Sequence, residues 1–369
     1  MYFADMHCDT IMKIWFSHLR GEPMPLRDTG GYKGETQIDL AKLAKGGGRV
    51  QNFAIFVDLC CPADFDGQDE DGGFLHRSEQ AAGEEDPKYL DPWTQFTEMA
   101  AIYHREIAAN PDVIREARSY AEIRQNLADG KMSAVLTVEE GGILQGDIDR
   151  LQRVYEEGVR MMTLTWNYEN ELGFPNRLPL KEMKKDHRAY YRFRPEAGNG
   201  LKAKGFEAAE EMERLGILVD VSHLSDAGFY DVARTVKGPF VASHSNARAI
   251  AGCNRNLTDE MIRAVGEHGG VIGLNFCPAF VEEVSDPSQE RTTLAMLARH
   301  ARHMMNVGGR GVVGIGTDFD GIAPGDLEIR DASEMQKLVE GLERMRFTPD
   351  EIERICYRNV LDVYREVLR

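Results

Sequence analysis

Eight short apolar segments, rich in β-branched residues, recur along this chain between longer stretches of helical periodicity, and no other feature restricts its possible folds as much. The segments are residues 2–8, 49–57, 132–138, 160–166, 217–222, 240–243, 271–276 and 312–317. Amphipathic runs lie between them at 148–157, 201–215, 226–236, 259–267 and 292–306, and one more, 332–345, follows the eighth. Strands that read as apolar runs and alternate with helices pair in parallel through βαβ crossovers. Eight such strands with interleaved helices predict an α/β fold of the (β/α)8 TIM-barrel type, with residues 1–369 forming one domain. Two stretches interrupt the rhythm. Residues 62–92 are acidic and rich in Gly and Pro, and residues 176–199 mix basic and aromatic side chains. Both follow strand C-termini and are expected as long loop insertions, either lids over a site or plain surface.

A barrel of this kind keeps its chemistry where strands run into the following loops. The first segment, YFADMHCDT, closes with His7 and Asp9, whose spacing puts both side chains on one face of a strand and Cys8 on the other. The third, MSAVLTV, runs into Glu139 and Glu140. The fifth and sixth, GILVDVSH and PFVASHSNAR, carry His223 and His244 at their ends. The eighth, GVVGIGTDFDG, ends with Asp318 and Asp320, of which Asp320, before Gly321, better suits a turn. Taken singly, each of these is explained by strand-end hydrogen bonding or turn formation. Five strands presenting His, Asp or Glu at one barrel end are not, and imidazole with carboxylate is the ligand set of a hydrolytic zinc. Three His and two or three carboxylates exceed the needs of one tetrahedral ion. The pattern therefore predicts two metals, about 3.5–4 Å apart, sharing a carboxylate.

Charge narrows the partners: 61 acidic against 44 basic residues give a formal charge of −17, which repels phosphate backbones and anionic membranes. Neither nucleic acid nor a membrane is an expected partner. The six cysteines (Cys8, Cys60, Cys61, Cys253, Cys277 and Cys356) show no CxxC spacing, and a chain of this length closes its core without cross-links. Free thiols in a reducing, cytoplasmic setting are expected. No basic segment followed by an apolar run opens the chain, and no stretch approaches the length that spans a bilayer.

In chain order, HCDT, VEEGG, TLTWN, DVSH, SHSNAR with NRN following, and GTDFDG resemble the motifs of the renal or membrane dipeptidase family across nearly the whole sequence. The resemblance implies an amidohydrolase-related barrel, two zinc ions per chain and dipeptide substrates, with a D-residue accepted at the C-terminal position. A dimer is common in that family, so a homodimer is a further expectation. Residue by residue, the resemblance makes His7 and Asp9 ligands of one zinc, His223 and His244 ligands of the other, and Glu139 the bridge. Glu139 is preferred to Glu140 because its distance from RMMTLTW matches the family's ungapped spacing. Asp318 matches the acidic residue near the attacking water and the scissile nitrogen. Arg255, in NRN, matches the arginine that receives the substrate carboxylate, a role suited to its fork of donors. Where many relatives carry histidine near the substrate carbonyl, this chain has Trp166, whose indole donates one hydrogen bond but neither accepts one nor becomes cationic. The leader and lipid-anchor signals of the membrane-bound relatives are not seen, so a soluble, bacterial-type member is expected.

The reaction so implied is attack of a metal-bridging hydroxide on the dipeptide carbonyl, with Asp318 either moving the proton to the departing amine or holding the substrate ammonium. A related binuclear hydrolase of N-acyl amino acids or lactams, and a metal-binding homologue without turnover, would share the same motifs.

Overall fold

The computed structural model describes residues 1–27, 36–59, 90–176, 199–284, 289–322 and 326–369. Its strands are β1 (Phe3–Asp5), β2 (Gly48–Phe56), β3 (Ile114–Glu116), β4 (Met132–Glu139), β5 (Val159–Thr163), β6 (Leu218–Asp220), β7 (Ile272–Leu274) and β8 (Val313–Ile315). They pair in parallel in the order β6-β5-β4-β2-β1-β8-β7. Residues 240–243 span the remaining gap between β6 and β7 through parallel bridges. There Val221 N donates to Val241 O at 2.8 Å, Val241 N to Val219 O at 3.0 Å, Ala242 N to Val271 O at 3.1 Å and Gly273 N to Ala242 O at 2.9 Å. The ring is thereby closed, and all eight expected segments hold barrel positions. The sixth is a pair of bridges rather than a strand, because few residues separate Pro239 from the turn that begins at Ser243. β3, which the apolar pattern does not mark, is three residues long and pairs with the start of β4, where β5 has not yet begun.

The strand period sets the layers. Along β4, Ser133, Val135, Thr137 and Glu139 share one face and Ala134, Leu136 and Val138 the other. The second set packs into the large apolar cluster shared with the surrounding helices. On the first face Val135 joins Met161, Leu218, Val241 and Val271 in a separate cluster, closed from below by Leu361, Tyr364 and Leu368. This is the barrel floor. Above it the lining turns polar, with Asn52, Thr163, Asp220 and Ser243 all buried, and Tyr364 Oη donates to Asn52 Oδ1 at 2.7 Å. Glu139 is the next step up the same face.

The interleaved runs form the helices Arg150–Glu157, Ala203–Leu215, Asp226–Thr235, Asp259–Glu267 and Leu294–Gly308. Ser225, Thr258 and Thr293 cap three of them by accepting a backbone N–H of the first turn. The run 332–345 divides into the 3-10 turn Ala332–Glu334 and the helix Gln336–Arg344. The two expected loop insertions lie outside the described residues except at their ends. There Asp91 caps the helix Pro92–Ala108, and Asn176 N donates to His223 O at 2.7 Å.

Candidate metal centre

β1 stops at Asp5 instead of running on to Cys8, because the Asp5 carboxylate replaces the ladder: it accepts from Thr317 N at 3.0 Å, Thr317 Oγ1 at 2.7 Å and His7 N at 3.2 Å. The HCD triplet therefore lies just past the strand, and Cys8 turns away to donate to Asn52 O at 3.3 Å. His7 Nε2 is 3.4 Å from Asp9 Oδ2 and 3.5 Å from Glu139 Oε2. On the other side of the same carboxylate, Glu139 Oε1 is 3.1 Å from His223 Nε2 and 3.4 Å from His244 Nε2. The rings of His7 and His244 stack with centroids 3.9 Å apart. All five side chains are buried.

Strict alternation after Val219 and Val221 would turn His223 outward with them. Its left-handed backbone, φ +67°, reverses that direction. Such a conformation costs a non-glycine residue about 1–3 kcal/mol. It is held by the Asn176 N bond to the His223 carbonyl and by the 3.0 Å contact of His223 Nδ1 with Asn167 Oδ1. His244 is brought in by close approach of the residue after β8: a Cβ on Gly316 would overlap the Ser243 carbonyl and press on His244 Cα at 3.1 Å.

Asp318 stands at the rim, with Oδ1 4.0 Å from His7 Nε2 and Oδ2 accepting from Asn275 Nδ2 at 2.9 Å. A Cβ on Gly321 would meet both the Asp9 and Asp318 carboxylates, so the glycine after Asp320 makes room for the cluster as well as for the turn. Arg255 is buried, 6% exposed. Its Nη2 donates to His244 O at 3.1 Å and its Nη1 to Ser245 Oγ at 3.3 Å, while Nε is buried without an acceptor among the described residues. Trp166 packs on Phe56, Tyr168 and His223 with ring centroids 4.7, 5.3 and 6.0 Å away.

The neighbours of the motif acids do other work. Glu140 accepts from Gly142 N at 2.6 Å, Trp166 N at 2.8 Å and Asn170 Nδ2, tying the loop after β4 to the loop after β5. Asp320 accepts from Gln37 N at 2.6 Å, Ile38 N at 3.3 Å and Thr10 Oγ1 at 2.7 Å, and pairs with Lys13 Nζ at 3.2 Å.

The donor set fits metal ions. Three overlapping groups, His7–Asp9–Glu139, Glu139–His223–His244 and His7–His244–Asp318, each place their ligand atoms within 4.8 Å of one another. Burial drives the Glu139 carboxyl up to about 7 and that of Asp318 up to about 6. Burial also pulls His244 well down, helped by His7 and Arg255; His7 rises despite burial because Glu139 and Asp9 face it. The buried atoms His7 Nε2 and Asp9 Oδ1 have no hydrogen-bond partner among the described residues. Asn167 Oδ1 can only accept, so His223 Nδ1 donates to it, which leaves a lone pair on Nε2 aimed at Glu139 Oε1 and at His244 Nε2, 3.0 Å away. Acceptors thus face acceptors in a dehydrated pocket, and cations supply what is missing.

Motif reading passed over Asn167, Asp220, Ser243 and Asn275. Asn275 carried a usable signal, since it lies within the last residues of the seventh segment.

A closed parallel α/β barrel that gathers three imidazoles and three carboxylates at the loop ends of its strands is a metal-dependent barrel hydrolase. The chain belongs to the membrane dipeptidase family, peptidase family M19, whose model matches residues 1–369. A protein from the pqqA 5′ region of Klebsiella pneumoniae is 31% identical over 283 residues, 75% of this chain and 97% of its own length. An uncharacterised dipeptidase of Schizosaccharomyces pombe is 32% identical over 248 residues, 64% of this chain but 54% of its own length, so the match spans about half of that relative. Among solved structures, dipeptidase AC, an M19 metallopeptidase, superposes with a TM-score of 0.81 at 25% identity, covering 100% of this chain and 99% of its own. A Rhodobacter sphaeroides metallopeptidase liganded with a phosphinate mimic of the dipeptide L-Ala-D-Ala gives 0.80 at 25% identity, with 100% and 99% covered. The protein is accordingly a metallo-dipeptidase. No helix among the described residues is long and apolar enough to cross a membrane.

Proposed function

We propose that the enzyme hydrolyses dipeptides, including those with a D-residue at the C-terminal position, using two Zn²⁺ ions, one held by His7 and Asp9 and one by His223 and His244, with Glu139 shared. The observation that carries this reading is the division of the Glu139 carboxylate, one oxygen toward His7 and the other toward the two remaining imidazoles. Bound there, the ions supply an activated water at neutral pH and polarise the scissile carbonyl. Arg255 receives the substrate carboxylate, with its unpartnered Nε among the available donors, and so confines the enzyme to short substrates. Asp318, held at Oδ2 by Asn275, keeps Oδ1 to take a proton and return it to the departing amine. Trp166 walls the site beside His223 and keeps water from that flank. The D-residue is supported by the L-Ala-D-Ala mimic bound to the Rhodobacter sphaeroides relative.

Purified protein is expected to hold close to two zinc equivalents by atomic emission, to lose dipeptide hydrolysis on chelation and to regain it with zinc. Full turnover after exhaustive chelation would refute the zinc reading. Arg255→Met is expected to lower kcat/KM for free dipeptides by roughly ten- to more than a hundredfold, the worth of a charge-assisted hydrogen bond of about 1.5–3 kcal/mol. Amidated dipeptides should feel it little, and equal losses for both would make Arg255 a structural residue.

A further inference from the structure

Asp220, at the end of β6, has no role in the reaction above, yet its side chain is buried in the polar layer beneath the ligands. Its Oδ1 accepts from Ser222 N at 3.0 Å and Ser243 N at 2.8 Å, and its Oδ2 accepts from Thr163 Oγ1 at 2.7 Å and Ser243 Oγ at 2.5 Å. With two donors on each oxygen the Asp220 carboxylate only accepts, so the single hydroxyl proton of Ser243 is committed to Asp220. Ser243 Oγ also lies 2.7 Å from His244 Nδ1 and 3.3 Å from Ser222 Oγ. With its own proton engaged, Ser243 can only accept from both. His244 must then carry its proton on Nδ1 and turn an unprotonated Nε2 toward Glu139 Oε1.

We propose that Asp220 and Ser243 are positioning residues which, by directing this chain of hydrogen bonds, fix the metal-binding tautomer of His244 before an ion arrives. The proposal rests on the zinc reading of the cluster. Its physical content is narrower: the opposite tautomer would point an N–H at the cation position and remove one ligand. Asp220 is placed to do this because β6 and residues 240–243 pair directly, bringing its carboxylate under both the Ser243 amide and the Ser243 hydroxyl. His223 has a simpler arrangement, since its Nδ1 faces an amide oxygen that already accepts.

Asp220→Asn inverts the chain. The amide donors of Ser222 and Ser243 require an oxygen at the Oδ1 place, so the new NH2 occupies the Oδ2 place and donates to Ser243 Oγ. Ser243 then gives its proton to His244 Nδ1, and His244 protonates at Nε2. The test is long-range 1H–15N spectroscopy of histidine-labelled, chelator-stripped protein, together with zinc affinity by competition with a chromogenic chelator. The wild type is expected to show His244 protonated at Nδ1, and Asp220→Asn to show Nε2 protonation with zinc affinity lowered about 10–100-fold. Ser243→Ala should lose affinity similarly and Ser243→Thr should restore it. The serine pair decides the matter if Asp220→Asn does not fold. Nε2 protonation in the wild type, an unchanged tautomer in Asp220→Asn, or wild-type affinity in a folded Ser243→Ala would each overturn the proposal. A wild type that binds no zinc would defeat the zinc reading, while the tautomer measurements would still decide the role of Asp220.

Discussion

Glu139→Gln is expected to empty the centre: zinc content falls from about two equivalents toward none, and dipeptide hydrolysis drops by more than the roughly 10–100-fold typical of losing an outer partner of a metal site. The substitution is nearly isosteric, so packing along β4 is kept and the effect is electrostatic. The side chain is buried among five ligand-type groups, and the amide removes the negative charge that both halves share. Orientation then decides which half suffers first. His223 Nε2 presents a lone pair to Glu139 Oε1 at 3.1 Å, and His244 Nε2 faces the same oxygen at 3.4 Å. The amide NH2 should turn that way, donate to those imidazoles and occupy the lone pairs that would bind the ion. The zinc between His223 and His244 is therefore expected to leave before the one beside His7 and Asp9. Glu140→Gln is the control, because its carboxylate binds Gly142 N, Trp166 N and Asn170 Nδ2 and joins no ligand group among the described residues. It should keep its zinc and lose about 1–3 kcal/mol of stability, as a donor is forced against a backbone N–H. Metal analysis and thermal unfolding of the two variants separate the roles, and the opposite pattern would move the bridge to Glu140.

The choice between these adjacent glutamates shows what the sequence could carry. Strand period alone puts Glu139 on the face of Ser133, Val135 and Thr137, and that face lines the barrel. The eight apolar runs were legible because a strand covered on both faces has no polar alternation to hide it. His223 and His244 were legible because each interrupts such a run at its end. What escaped depends on partners distant in the chain. The inward turn of His223 needs a left-handed residue that no local pattern announces. The early stop of β1 follows from Asp5 bonding Thr317, more than 300 residues away. Arg255 is buried because Asn254 Nδ2 reaches Asn176 O at 2.9 Å and Asn256 Nδ2 reaches Phe280 O at 2.9 Å, contacts that fold its loop inward. Asp220 and Ser243 likewise meet only once β6 and residues 240–243 lie side by side.

Asp318→Asn should leave zinc content near normal while kcat falls about 10²–10⁴-fold, the usual worth of a positioned acid–base group, with KM changed less. Backbone strain is not expected to contribute: Asp318 has φ +62°, and asparagine tolerates that left-handed conformation as well as aspartate does. Its hydrogen bonding is also sparse, with Asn275 Nδ2 on Oδ2 and Oδ1 left 4.0 Å from His7 Nε2, so an amide can be seated there without opposing a buried backbone donor. Asp320, two residues on and equally left-handed at φ +70°, is the structural counterpart. Its carboxylate is saturated by Gln37 N, Ile38 N, Thr10 Oγ1 and Lys13 Nζ, none of which belongs to a ligand group among the described residues. Asp320→Asn should therefore lower the thermal midpoint, at a cost of about 1–3 kcal/mol, with kcat and zinc largely kept. If Asp318 were a ligand rather than a proton carrier, its Asn variant would lose zinc and turnover together, because an amide oxygen is the poorer donor to the ion. Retention of both zinc and turnover in Asp318→Asn would leave it a turn residue and pass the proton to another group. Steady-state kinetics, metal analysis and thermal unfolding of the two variants distinguish these outcomes, since each assigns a different one of the three quantities, kcat, zinc or stability, to move first.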